Sequence, residues 1–371
     1  MSAPTPVPEE NHLMTATLTT TSRMQQMTAL GADWWNDSGV PAELGEAVTQ
    51  GATGGTSNPV IVYQTVKANP DLCLPPLDRL IAEHPHATED ELTWKLIAVL
   101  GRESAKQLLP VFEATKGAKG YLSMQVNPQY YPSKDRMVAH ATELAALAPN
   151  IAIKAPATET GIAAMEEMTA RGVRVNATVS FSVAQALAVS AAFERGLKRA
   201  RSAGLNADAI RPYITIMIGR VDDHLKRVAE REKLTVTPGT LDWAGIAVFK
   251  HAHRLFRQRG LPGTLLAAAY RHEGHWSQLI GPEVLQTIPY NWWTKFNVSP
   301  STPAPTLETP VDGAVLAELR AKFPDFLRAY DESGMAPADF VRYGATVHTL
   351  NQFLGGYADL LSLVRSRMIP M

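Results

Sequence analysis

The strongest constraint on this chain is the regular return of short apolar runs, each followed by an amphipathic stretch. Strand-like runs fall at 31–37, 51–58, 120–126, 150–156, 172–179, 213–219, 263–270 and 285–290. Helical patterns occupy 88–116, 134–147, 160–171, 182–196 and 241–259, with a short helix between the first two runs. Strand-then-helix order requires parallel strands joined by crossover helices. Eight such units favour an α/β fold of one closed (β/α)8 TIM barrel over an open doubly wound sheet. No Gly-x-Gly-x-x-Gly follows an early strand. Thr53-Gly54-Gly55-Thr56 is too short for a Walker loop and has no Lys-Ser/Thr after it.

Residues 1–25, rich in Pro, Thr and Glu, read as a flexible tail ordered only in its later part. They lack the basic start and apolar stretch of a signal peptide. Residues 26–371 read as one barrel unit, with a Pro/Thr-rich boundary at 299–310 before C-terminal helices at about 311–371. Phe340, Tyr343, Leu350, Phe353, Leu354, Tyr357 and Leu361 form an apolar helical stripe. That stripe predicts a helix covering the barrel mouth or a subunit contact, which leaves a homo-oligomer open.

Charge excludes some partners. The 35 Lys and Arg against 36 Asp and Glu give a net charge of −1, with no basic block for nucleic acid. No apolar run approaches the roughly 18 residues of a membrane span. Cys73 is the only cysteine, so no intrachain disulfide forms and a reducing, cytoplasmic setting is expected. Cys73 itself reads as a small buried hydrophobe rather than a nucleophile. The ten histidines give only a weak metal signal, and no metal is expected. His272-Glu-Gly-His275 is not His-Glu-x-x-His, and His251 and His253 point apart on a helix. The pairs Trp34-Trp35 and Trp292-Trp293 read as core or lid packing.

In such barrels chemistry sits at the C-terminal ends of the strands. Lys154 lies in Ile151-Ala-Ile-Lys-Ala-Pro156, inside an apolar strand pattern. Burial lowers a lysine's pKa and yields the neutral amine that attacks carbonyls. The alternative is a structural lysine paired with a carboxylate. Asp37 ends the first run and is either an acid–base group or the N-cap of the helix from Pro41. Asn176 and Thr178 lie two apart on one strand and so share a face. They either hold water and substrate hydroxyls or pack at the strand end. Arg220 and Arg271 each close an apolar strand. They suit a phosphate oxyanion, or else a salt bridge to a neighbouring loop.

Several ordered motifs together resemble the transaldolase family. They are Gly54-Gly-Thr-Ser-Asn-Pro59, Ile151-Ala-Ile-Lys-Ala-Pro-Ala-Thr158 with Gly161-Ile162, and Val175-Asn-Ala-Thr-Val-Ser-Phe-Ser182 with Ala184-Gln185. Gly219-Arg-Val-Asp222 and Ala268-Ala-Tyr-Arg271 complete the set. The resemblance spans roughly 31–300. It implies an α/β barrel with a Schiff-base lysine, Lys154, on the fourth strand, and no metal or organic cofactor. By the same resemblance Asp37 moves the C4 hydroxyl proton, while Asn58 and Asn176 hold substrate hydroxyls or the intermediate. Thr178 would position a catalytic water, and Arg220 and Arg271 would take the terminal phosphate of a small sugar phosphate.

The chain departs from the family pattern at four places. Gln125, in Ser123-Met-Gln-Val126, stands where transaldolases have a Glu, and resembles the related fructose 6-phosphate aldolases. Glutamine can hold a water but cannot shuttle protons. Thr215 and Met217 replace a Ser and an aromatic residue, and Ala269 replaces a phosphate-contacting Ser. The expected activity is transfer of a dihydroxyacetone unit from a ketose phosphate to an aldose. The alternatives are a class I lyase on a ketose or modified sugar, and a non-catalytic sugar-phosphate-binding relative.

Overall fold

A computed structural model describes residues 21–369. Of the expected tail, residues 1–20 lie outside the described residues. Ser22 caps the first helix, α1 (Arg23–Ala29), accepting from the backbone N–H of Gln25. The chain then alternates β1 (Asp33–Asn36), α2 (Pro41–Thr49), β2 (Gly54–Thr56), α3 (Pro59–Ala68), α4 (Pro70–Glu83) and α5 (Glu89–Ala114). Next come β3 (Tyr121–Gln125), α6 (Lys134–Ala145), β4 (Ile151–Pro156), α7 (Glu159–Ala170), β5 (Val175–Thr178), α8 (Val183–Ser202) and β6 (Tyr213–Met217). The barrel ends through α9 (Ile218–Glu232), α10 (Ala244–Arg259), β7 (Thr264–Ala268), the short α11 (Gly274–Ser277) and β8 (Val284–Ile288). The eight strands are parallel and closed, β8 pairing with β1. The expected barrel is the observed one.

The strands are shorter than the apolar runs suggested. Ile218 and Gly219, read as strand, already belong to α9, so Arg220 stands in a helix's first turn rather than at a strand end. Helix packing sets this boundary. A Cβ on Gly219 would lie 1.9 Å from the carbonyl oxygen of Ala269, so only glycine lets α9 start against the neighbouring loop. Helices α3 and α4 were not anticipated between the second and third strands. Pro59 and Pro70 open their helices, where the missing N–H has no partner to lose.

The lumen is filled from below. Trp35 on β1 meets Tyr213 on β6 edge-on, ring centroids 4.7 Å apart. Gly54 makes room for it, since a Cβ there would lie 2.6 Å from the indole nitrogen. Arg174 lies over the Tyr121 ring at 3.9 Å and donates to the Tyr213 hydroxyl at 3.3 Å. The N-terminal end of the barrel is therefore plugged with aromatic side chains. Trp34 faces outward and packs on Trp293 in a second core cluster, as the core reading of these tryptophans expected.

The C-terminal segment is helical: α12 (Tyr290–Asn297), α13 (Gly313–Lys322), α14 (Pro324–Tyr330) and the 25-residue α15 (Gly344–Met368). Helix α15 crosses the mouth. Gly344 abuts His224 of α9, and Gly356 abuts Val60 of α3. Farther along, Trp94 of α5 donates to the Tyr357 hydroxyl at 2.8 Å, and Arg367 pairs with Asp78 of α4 at 2.6 Å. Among the described residues no helix is long and apolar enough to cross a membrane.

Candidate active site

Between the C-terminal ends of the strands and α15 lies a cavity of about 280 Å³. Its walls include seven of the nine residues expected from the sequence: Asp37, Asn58, Lys154, Thr178, Thr215, Arg220 and Arg271. Gln125 and Asn176 do not line it. They stand beside it, both in register with Lys154 on the neighbouring strands.

Lys154 is 6% exposed, on a strand whose six residues are all buried. Its ammonium reaches the carbonyl oxygen of Ser57 at 3.5 Å. Burial lowers its pKa, opposed by the nearby charge of Asp37. Asp37 continues the β1 ladder, its N–H donating to Ile288 at 3.0 Å. Strand alternation turns Asp37 into the lumen. It turns Asn36 outward, where it accepts from the Trp293 indole at 3.0 Å. Asp37 does not cap α2, whose N-cap is Val40. It accepts instead from Thr56, which shares a hydrogen bond with Thr287 at 2.7 Å. Burial raises the Asp37 pKa, against the pull of Lys154, Thr56 and Arg220. Burial thus disfavours charge on both the amine and the carboxyl that face this one space.

Asn176 is fully buried, and both ends of its amide are engaged. It donates to Ser123 at 3.1 Å and accepts from Thr215 at 2.8 Å. Gln125 is also buried, and among the described residues its side-chain oxygen has no hydrogen-bond partner. Asn58 accepts the backbone N–H of Ile61 at 3.0 Å and so caps α3. Thr178 contacts the Met217 sulfur at 4.0 Å.

The two arginines differ. Arg271 stands three residues beyond β7, in a loop rather than on the strand, and pairs with Asp223 at 2.9 Å. The salt bridge weighed for it from the sequence is present. Arg220 keeps a buried Nε without a partner among the described residues. Burial, together with nearby Arg271, pushes its pKa down to about 10, which leaves it cationic at neutral pH. A half-buried guanidinium with an unpartnered Nε on a cavity wall is an anion receptor in waiting.

Sequence reasoning missed several residues. Gln352 and Phe353 of α15 and Gln64 of α3 also line the cavity. The apolar stripe held Phe353, but nothing marked which of its residues would meet the mouth. Gln185, quoted only as part of a motif, ties down the loops beyond β4 and β5. Its amide donates to Ala157 at 2.9 Å and Val179 at 3.1 Å, and its oxygen accepts from Phe181 at 2.9 Å. Val179 has φ 52°, a left-handed conformation that costs a β-branched residue about 1–3 kcal/mol. Gln185 holds that strained turn next to Thr178.

Residues 34–334 match the sequence profile described as Transaldolase/Fructose-6-phosphate aldolase. The chain is 28% identical to the transaldolase of Thiobacillus denitrificans over 305 residues, covering 75% of this chain and 81% of that one. It is 32% identical to the transaldolase of Thermobifida fusca over 229 residues, covering 58% and 61%. With Transaldolase 1 of Streptomyces avermitilis the identity is 35% over 146 residues, covering 38% and 39%.

Proposed function

This chain belongs to the transaldolase/fructose-6-phosphate aldolase family, and from that premise we propose that Lys154 moves a dihydroxyacetone unit from a ketose phosphate to an aldose. One observation carries the reading: a lysine buried in the lumen, its ammonium disfavoured, faces a buried carboxyl across the same cavity. The neutral amine adds to the C2 carbonyl of the ketose, water leaves, and an iminium forms. Asp37 takes the C4 hydroxyl proton as the C3–C4 bond breaks, and the electron pair flows into the iminium. An aldose departs, leaving an enamine on Lys154. An acceptor aldehyde takes that carbon, Asp37 returns the proton, and hydrolysis frees the product. The test is borohydride trapping with a hexulose 6-phosphate, read by mass spectrometry. An adduct on Lys154 is expected, and no adduct with any ketose phosphate would leave only a binding protein.

Arg220 and Arg271 face the part of the cavity assigned to the terminal phosphate. Because Arg271 is already paired and Arg220 is not, the larger effect is expected at Arg220. Arg220→Ala should raise KM for the phosphorylated ketose about ten- to a hundredfold, the equivalent of about 1.5–3 kcal/mol for a charge-assisted contact. The unphosphorylated parent ketose should change little. Equal losses on both substrates would make Arg220 structural.

A second reading, net cleavage rather than transfer, is favoured by Gln125. Its unpartnered oxygen sits in register with Lys154, where it can hold a water but not exchange protons with it. Gln125→Glu is expected to shift product partitioning toward transfer by roughly tenfold or more, with the Lys154 adduct still forming. The measurement is the product ratio from one ketose phosphate, with and without acceptor aldehyde. An unchanged ratio would place control of that water elsewhere.

A further inference from the structure

The first turn of α9 carries Arg220, and the loop after β7 carries Arg271. These two segments are interlocked at three points. Gly219 lies so close to Ala269 that no side chain fits between them. Asp223 pairs with the Arg271 side chain. The third point is a buried relay that the proposed mechanism does not use. Asp222, fully buried, accepts the backbone N–H of Gly245 at 2.8 Å and Nε2–H of His275 at 2.7 Å. On the other side of the same ring, Nδ1 of His275 accepts the backbone N–H of Arg271 at 3.0 Å.

A backbone N–H can only donate, so Nδ1 must be the bare nitrogen and Nε2 must carry the proton. Burial lowers the His275 pKa, against the pull of Asp222, which favours the neutral ring that this arrangement needs. His272 packs against His275 with ring centroids 3.8 Å apart and planes tilted by 43°, and its Nε2 lies 3.6 Å from the same Asp222 oxygen. Two histidines and an aspartate this close invite a metal reading. The tautomer dictated by Arg271 opposes it, because the His275 nitrogen facing Asp222 has no lone pair to give.

The geometry points to His275 as a positioning residue that, anchored on Asp222, sets where Arg271 stands relative to Arg220. This rests on the reading of the two arginines as the receptor for the substrate's terminal anion. The imidazole is a rigid spacer between a carboxylate on Arg220's own helix turn and the backbone of Arg271. It fixes the separation of two like charges before any ligand arrives, which is preorganisation of an anion clamp.

Inorganic phosphate affinity by calorimetry, and KM and kcat for a hexulose 6-phosphate and its unphosphorylated parent, test this in His275→Gln, His275→Asn and Asp222→Asn. Glutamine can still donate toward Asp222 but offers Arg271 no acceptor. Asparagine offers the acceptor but cannot reach Asp222. His275→Gln should weaken phosphate and raise KM for the phosphorylated ketose about three- to tenfold, with kcat nearly unchanged. His275→Asn should recover part of that loss. Where His275→Gln fails to fold, Asp222→Asn carries the test, because it keeps the size of the anchor and removes the charge that holds the Nε2–H tautomer. The same phosphate-selective loss is expected there. Folded variants that bind phosphate as tightly as wild type would overturn the proposal. So would losses of kcat that are equal on both ketoses, or a wild type that traps ketose on Lys154 yet binds no phosphate. A wild type that forms no adduct but shows the expected phosphate losses would reject the Schiff-base reading and support the clamp.

Discussion

Lys154→Arg is expected to cut turnover by about 10⁴-fold or more, as loss of a covalent nucleophile does, and to leave no adduct after borohydride. Arginine keeps the positive charge but is never deprotonated in proteins, so it cannot attack a carbonyl. The wild-type lysine is different because burial lowers its pKa, so a larger share is neutral at any given pH. Lys154→Met should lose activity to the same extent for a different reason, having no amine at all. It should also change its neighbour. The lysine's charge holds the Asp37 pKa down, so in Lys154→Met the carboxyl should titrate at higher pH than in wild type. Carboxyl infrared bands against pH would show this. Substantial turnover in Lys154→Arg would end the Schiff-base assignment, whatever the fold.

Asp37→Asn should lower kcat by about 10²–10⁴-fold, the usual contribution of a general acid–base group. Asparagine can still accept from Thr56, so the strand end keeps its packing, but it cannot carry the C4 proton. Adduct formation on Lys154 should persist, which separates proton transfer from covalent capture. The pH profile has a stated sign. Asp37 must be ionised to take the proton, and burial raises its pKa, so the acid limb of kcat should lie above the ordinary aspartate value of about 3.9. That limb should vanish in Asp37→Asn. A variant that loses adduct and turnover together would mean that Asp37 sets the state of Lys154 rather than moving the substrate's proton.

The barrel was legible because its signal is redundant: eight apolar runs in order leave few other topologies. Lys154 was legible because a charge inside an apolar strand is costly enough to be conspicuous. Asp37 was harder, since Asn36 and Asp37 adjoin and only the strand's register decides which faces the lumen. Helix α9 was overlooked although Val221, Leu225 and Val228 carry a helical spacing, because the strand was read through to Gly219. The relay at His275 had no local signature. His272 and His275 were weighed only for a metal motif, which they do not match, and what matters is a backbone N–H and a carboxylate brought from other elements by the fold. Asn176 illustrates the same limit. Its strand and face were readable, but its engagement with Ser123 and Thr215 depends on the two neighbouring strands.

The aromatic plug of Trp35 and Tyr213 has a kinetic consequence. With that end filled, the cavity around Lys154 lies on the α15 side of the barrel. In the proposed transfer the departing aldose and the incoming acceptor then use the same side of the molecule. A released aldose that lingers competes with the acceptor, so product inhibition against the acceptor aldehyde is the expected signature.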